Sequence, residues 1–138
     1  EKEKLNDSCD VSKIILASAN KFGPSRSDVV FSLDIDKKNT VFRGSDEMWE
    51  AIIDNILNNF MRYAKSQIKI TLKNNKIILY NDGPNIDKDV LNNIFTPYEK
   101  GVRGVFGLGL SIVKKTLGLL NYDINIENVK NGVKFIIS

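Results

Sequence analysis

The strongest constraint in this chain is how its β-rich segments are joined. Gln67 to Leu72 and Ile77 to Asn81 are separated only by Lys73-Asn74-Asn75-Lys76, and Tyr122 to Asn128 and Val133 to Ser138 by a segment carrying the turn pair Asn131-Gly132. Links this short cannot make the crossover that parallel neighbours need, so such strands pair antiparallel. Val29 to Ile35 and Thr40 to Arg43, on either side of Lys37-Lys38-Asn39, read as a further pair of strands joined by a short turn. Between the pairs lie amphipathic stretches. Asp10 caps a helix that runs through Lys21, with Val11, Ile14, Ile15 and Ala19 at helical spacing, and Phe22-Gly23-Pro24-Ser25 stops it. Ser45 caps the longest helix, about Asp46 to Ala64. Asp46 and Glu47 suit the dipole of its first turn, and Trp49, Ile52, Ile53, Ile56, Leu57 and Phe60 make a broad apolar face. Asp87 to Phe95 reads as a short helix, Thr96 to Phe106 as irregular, and Leu108 to Leu120 as a helix. This order predicts a two-layer α/β sandwich: a mixed, largely antiparallel sheet covered on one face by about three helices.

Composition narrows the chemistry. A chain of 138 residues suits one core, and 42% hydrophobic with 27% charged residues is the balance of a soluble globular domain. There is no His, which removes a Ser-His-Asp triad, a His-ligated metal and a phosphohistidine within this chain. Cys9 is alone, so there is no internal disulfide and no Cys-built zinc site. A net charge of +3 permits an anionic ligand, but no basic and aromatic interleaving points to nucleic acid. No apolar run approaches the roughly 18–20 residues of a transmembrane helix, so this fragment is not expected to insert in a membrane. Residues 1–9 begin with Glu1, not Met, and are mostly charged or polar. They are expected to be a linker from a preceding, absent domain, with residues 10–138 forming the folded unit.

Three stretches carry residue types that suit a phosphate-bearing planar ligand. Asp54, Asn55, Asn59 and Arg62 lie on the long helix, with Asn55 and Asn59 four apart on one face. Amides there can serve a hard cation and phosphate oxygens, or simply be a solvated face. Asn81-Asp82-Gly83-Pro84-Asn85-Ile86 directly follows a strand. It is either a turn or a strand-end acid or amide beside glycine that reads a ligand pressed close to the backbone. Gly101 to Leu110 is glycine-rich and opens a helix, where free N–H groups favour anions, with Lys100 and Arg103 adding charge. No Gly-Lys-Ser/Thr makes it a Walker A loop, and it lacks the strand and third glycine of a dinucleotide fingerprint.

Together these stretches resemble the ATP-binding catalytic domain of sensor histidine kinases. That domain belongs to the ATPase superfamily shared with gyrase, the heat-shock chaperone and the mismatch-repair ATPase. The likeness runs over roughly Val11 to Ser138. Asp54 to Ala64 resembles the N box, Asn81 to Ile86 the G1 box, Ile94-Phe95-Thr96-Pro97-Tyr98 the F box, and Gly107 to Lys114 the G2 box with the helix it opens.

The resemblance implies Mg²⁺ and ATP as cofactors. Asn59 would be the metal ligand, Asn55 would lie near the phosphates, and Arg62 would approach them. Tyr63 would pack near the base, and the strand-end residue of the G1 box, Asn81 or Asp82, would read adenine. Gly83, Asn85, Ile86, Phe95, Tyr98, Gly101, Leu108 and Leu110 would complete the site. Gly107 and Gly109 would let phosphates approach the helix start, Lys100 would reach the γ-phosphate, and Glu99 to Phe106 would be the lid. Asp54 would assist as a base. The sequence departs from the family at Asn81 (usually Asp), Asn85 (usually Gly, though Asn tolerates positive φ), Phe60 (usually small, hence expected to crowd the pocket), Phe106 (often Ser or Thr) and a short lid.

The implied function is transfer of the γ-phosphate of Mg·ATP to a histidine on a separate phosphoacceptor domain of the same full-length protein, and then to a response regulator. The full-length protein would be membrane-anchored with this domain in the cytoplasm. The isolated domain would be a monomer, since dimerisation in the family belongs to the phosphoacceptor helices. Two alternatives stand beside it: an anti-sigma-factor-type serine kinase, and a degenerate nucleotide-binding or protein-interaction module, which the departures motivate.

Overall fold

The structure, a computed structural model, describes residues 5–96 and 107–138. Its elements in chain order are β1 (Ser8–Asp10), α1 (Val11–Phe22), a 3-10 turn (Gly23–Ser25), β2 (Val30–Ile35), β3 (Val41–Arg43), α2 (Asp46–Tyr63), β4 (Gln67–Lys73), β5 (Lys76–Asn81), α3 (Lys88–Asn92), α4 (Gly107–Leu119), β6 (Ile124–Val129) and β7 (Gly132–Ile137).

The helix starts follow local chemistry. Asp10 accepts from the Ser12 amide at 3.1 Å and Ser45 Oγ from the Met48 amide at 3.2 Å, satisfying N–H groups that a first turn leaves unpaired. Alternation then divides the sheet into two faces. Ile68, Ile70 and Leu72 of β4 are buried, as are Ile77, Leu79 and Asn81 of β5, while the residues between them are not. The helices cover only that inner face. α2 packs between α1 and α4. Its Trp49, Ile52, Ile53, Ile56, Leu57 and Phe60 are all buried. The result is the expected two-layer sandwich.

The five-stranded sheet has the order β2-β4-β5-β7-β6. β4 to β5, β5 to β7 and β7 to β6 are antiparallel, and β2 to β4 is parallel. Asn74 and Asn75 both take left-handed φ, 54° and 60°, in the two-residue turn between β4 and β5.

The expected pairing of Val29 to Ile35 with Thr40 to Arg43 does not form. β2 instead lies parallel to β4, with Val30 opposite Gln67 and Ile35 opposite Leu72. α2 lies between these two strands in the chain and supplies the crossover that a parallel pair requires. β3 turns away because its side chains have better partners elsewhere. Phe42 is buried against Trp49 and Tyr122, with ring centroids 5.4 and 5.5 Å away. The Arg43 amide donates to Tyr122 Oη at 2.9 Å and its guanidinium to the Leu120 carbonyl at 2.9 Å.

β3 pairs with β1, Cys9 facing Phe42. Part of the polar N-terminal stretch is therefore structured: Ser8–Asp10 is a strand, Cys9 is core, and Leu5 packs against the core. Burial, with the charges of Asp46 and Asp10 adding to it, pushes the Cys9 thiol up to about 12, so it is unreactive at neutral pH. Among the described residues no helix is long and apolar enough to cross a membrane.

Phe60 sits inside the sandwich at full burial, edge-on to Phe135 at 5.0 Å. Phe60→Ala is expected to lower unfolding free energy by about 3–5 kcal/mol in a urea titration, because it removes a large fully buried ring.

Candidate functional site

One face of α2 carries Asn55, Asn59 and Tyr63 at four-residue steps, so the three line up along the helix. Beside the lower two, between α2 and the segment after β5, lies a cavity of about 190 Å³. Asn59 and Tyr63 form one wall, and Asn81, Asn85 and Ile86 another. Val133 and Phe135 of β7 contribute from the sheet, and Val90 from α3. A mainly apolar hollow with a few convergent amides suits a flat heteroaromatic ring.

The two neighbouring strand-end residues have opposite fates. Asn81 is 4% exposed, lines the cavity, and accepts from the Gly83 amide through Oδ1 at 2.9 Å. Asp82, the next residue, is turned to the opposite side by strand alternation. Its carboxylate accepts from the backbone amides of Lys65, Ser66 and Gln67 at 2.9, 3.0 and 3.0 Å, and from Ser66 Oγ at 2.6 Å. Desolvation pushes the Asp82 carboxyl up, but the hydrogen bonds from Ser66, Gln67 and Lys65 outweigh it and hold the group at about 2. Asp82 is thus the clamp that turns the chain from α2 into β4. Gly83 lies so close to α2 that a Cβ there would fall 2.3 Å from the Tyr63 carbonyl oxygen. No other residue fits without moving that helix end.

The rest of the loop is held by amides. Asn85 is not among the residues with left-handed φ, so it does not imitate glycine as its position suggested. It donates instead to the carbonyls of Val129 and Gly132 at 3.0 and 2.8 Å. The Ile86 amide donates to Asn128 Oδ1 at 2.8 Å, and Asn128 Nδ2 returns to the Ile86 carbonyl at 2.9 Å. These bonds fasten the loop to the β6–β7 hairpin. Phe60 does not crowd the cavity, as its bulk suggested: its ring is buried edge-on to Phe135, and it is not part of the cavity wall.

Other expected residues lie outside the cavity wall. Asn55 donates to the Ala51 carbonyl at 2.7 Å. Its Oδ1 would be 3.1 Å from a Cβ added at Gly109, so the first turn of α4 abuts the N-box face closely. Asp54 is turned to α1, accepting from Ser18 Oγ at 2.7 Å and pairing with Lys21. Arg62 is exposed, and Leu110 is in the core. Phe95 is half-buried with Lys114 Nζ 5.5 Å from its ring centroid. Gly107 opens α4, with Leu108 next. Tyr98, Lys100, Gly101 and the segment Glu99 to Phe106 lie outside the described residues.

Two supports were not foreseen. Arg26 donates to the carbonyls of Met61 and Ala64 at 3.1 and 2.7 Å, satisfying the C-terminal end of α2 beside Tyr63. Nothing local distinguishes it from any other loop arginine. Asn128 could have been suspected only from its place just before a hairpin turn. Among the described residues no group of three or more His, Cys, Asp or Glu could hold a metal.

The sandwich thus sets a small, mainly apolar cavity between its central helix and a glycine-containing strand end. Residues 44–138 match the profile of the family described as histidine kinase-, DNA gyrase B-, and HSP90-like ATPase, and the chain belongs to that family. Membership makes this an ATP-binding domain.

The sensor histidine kinase CssS of Bacillus subtilis (strain 168) is 38% identical over 118 residues, covering 83% of this chain and 26% of that protein. The chain spans about a quarter of the length of the curated relatives it matches. The catalytic domain of histidine kinase ThkA has the same fold, with a TM-score of 0.84 at 23% identity over 95% of this chain and 92% of that one. The mycobacterial sensor histidine kinase MprB superposes with a TM-score of 0.83 at 18% identity, over 96% and 95%. The fold is that of a histidine kinase catalytic domain.

The Asp82 clamp has a pH signature. Its folded value of about 2 lies below the ordinary carboxylate value of about 3.9. The stabilisation is therefore present above about pH 4 and is lost as pH falls through about 2. Asp82→Asn is expected to be less stable at pH 7 by about 1–3 kcal/mol, since one amide oxygen cannot replace two carboxylate oxygens. The gap to the native chain should narrow between pH 4 and 2, which urea midpoints across that range would measure.

Proposed function

We propose that this domain is the ATP-binding catalytic part of a membrane-anchored sensor histidine kinase. It presents the γ-phosphate of Mg·ATP to a histidine on a separate domain of the same protein. The phosphoryl group then passes to a response regulator. One observation carries the reading: a mainly apolar cavity with convergent amides lies beside a single file of Asn55, Asn59 and Tyr63 that leads to the start of α4.

The base occupies the cavity, with Tyr63 against it and Asn81 at its far edge. Burial raises the Tyr63 hydroxyl above its ordinary value although the charge of Arg62 opposes this, so it stays protonated at neutral pH. The phosphates run along the helix face toward Asn55 and Gly109, where α4 begins and its N–H groups are free of intrahelical partners.

The donor set suits Mg²⁺. Half-buried Asn59 offers an amide oxygen at the cavity wall, and Mg²⁺ takes oxygen ligands while keeping waters and binding phosphates. With no acidic cluster among the described residues, the remaining ligands would come from nucleotide and solvent. When bound, the ion would neutralise phosphate charge. The protein's part is to hold the base, align the phosphate chain and present its end. Asp54 is committed to Ser18 and Lys21, and we give it the task of joining α1 to α2 rather than a chemical step.

Calorimetric titration of the chain with ATP should give binding that strengthens with Mg²⁺. Asn59→Ala should remove that strengthening while leaving thermal unfolding within about 0.5 kcal/mol of the native chain. An undiminished Mg²⁺ effect would take Asn59 out of the metal site, and no ATP binding by the native chain would end the reading. Gly109→Ala should weaken ATP binding in the same titration, because the added methyl meets Asn55 Oδ1.

A further inference from the structure

Asn81 has the two ends of its amide sorted by the fold. The Gly83 N–H is only a donor, so the end facing it at 2.9 Å must be Oδ1. Turning the amide over would set two donors against each other and lose a buried hydrogen bond. Gly83 cannot retreat to relieve this, because it is wedged against the Tyr63 carbonyl. The orientation is therefore fixed.

Nδ2 is left as the other end. It has no hydrogen-bond partner among the described residues, although the residue is only 4% exposed and lines the cavity. It is also not a sealed-off polar atom, since no buried side-chain nitrogen or oxygen among the described residues lacks a partner. Nδ2 therefore opens onto the cavity, and its outstanding hydrogens address whatever enters there. A carboxylate at this position would offer an acceptor to the ligand. Asn81 offers a donor.

We infer that Asn81 makes the base site prefer a purine with an acceptor at C6, so that 6-oxopurine nucleoside triphosphates bind at least as well as ATP. This rests on the nucleotide reading of the cavity above. The exocyclic amine of adenine is a donor and meets Nδ2 unfavourably. Adenine N1 is an acceptor, so ATP still binds after the ring shifts, with its amine left to water. The C6 oxygen of hypoxanthine accepts from Nδ2 without a shift. Asn81 is thus a specificity-determining residue, and selection falls on the Watson–Crick edge of the base.

ITP is the appropriate probe because it differs from ATP only along that edge, at C6 and N1. The chain is titrated calorimetrically with ATP and with ITP in Mg²⁺, and the pair is repeated with Asn81→Asp. The expected result is an ITP affinity equal to or above that of ATP in the native chain. In Asn81→Asp the ratio should move toward ATP by about tenfold or more, since the carboxylate keeps the acceptor for Gly83 and turns the ligand-facing end into one. A native chain that binds both nucleotides but favours ATP by about tenfold would overturn the inference and leave the nucleotide reading standing. A native chain that binds neither would overturn both. If Asn81→Asp fails to fold, the native ratio alone still decides.

Discussion

The apolar face of α2 is the constraint on which the rest depends. Six large side chains, from Trp49 to Phe60, are buried along it, and their burial fixes the rotation of the helix about its axis. Once that rotation is set, no freedom remains for the polar residues between them. Asn55, Asn59 and Tyr63 must then lie along one edge of the buried stripe, where helix meets loop. Asn59 and Tyr63 are thus placed by the packing of the core, whereas Asn85 and Ile86 across the cavity sit on a loop that hydrogen bonds fasten to the β6–β7 hairpin.

At its lower end the same helix is held by two charged groups that do not touch the cavity. Arg26 satisfies the last carbonyls of α2, and Asp82 gathers the amides of the turn that follows. Asp82 also fixes the direction in which its neighbour points. With the carboxylate anchored on one side of the strand, Asn81 is presented on the other, and Gly83 closes against Tyr63. Three consecutive residues thus do three different jobs: one faces the cavity, one folds the chain, and one lets two backbones touch.

What was legible in the sequence was what is decided locally. The caps at Asp10 and Ser45, the Asn74-Asn75 turn and the stripe on α2 depend on residues a few positions apart, and all appear as read. The partners of β2 and β3 were not legible, because a short link permits a hairpin but does not compel one. Contacts of Phe42 and Arg43 with residues 120–122 decided the matter, and these are distant in the chain. The N-box and G1 segments were legible as a set, through resemblance. Which of Asn81 and Asp82 faces the cavity was not, because the answer depends on the phase of β5 and on acceptor-seeking amides in another loop. The size of Phe60 suggests an obstacle, but size says nothing of direction, and its side chain points into the core.

The strand order also bears on what the margins of the sheet can do. Among the described residues, β2 and β6 each have one unpaired side, and an unpaired strand can recruit another. On β2 the exposed Val30 would invite this, but Asp34, joined across to Lys73 at 3.0 Å, and the Asp36-Lys37-Lys38 run that follows keep that margin strongly hydrated. β6 bears Asn125, Glu127 and Asn128. The rims of the sheet thus carry hydrophilic side chains, which oppose the pairing of a further strand there.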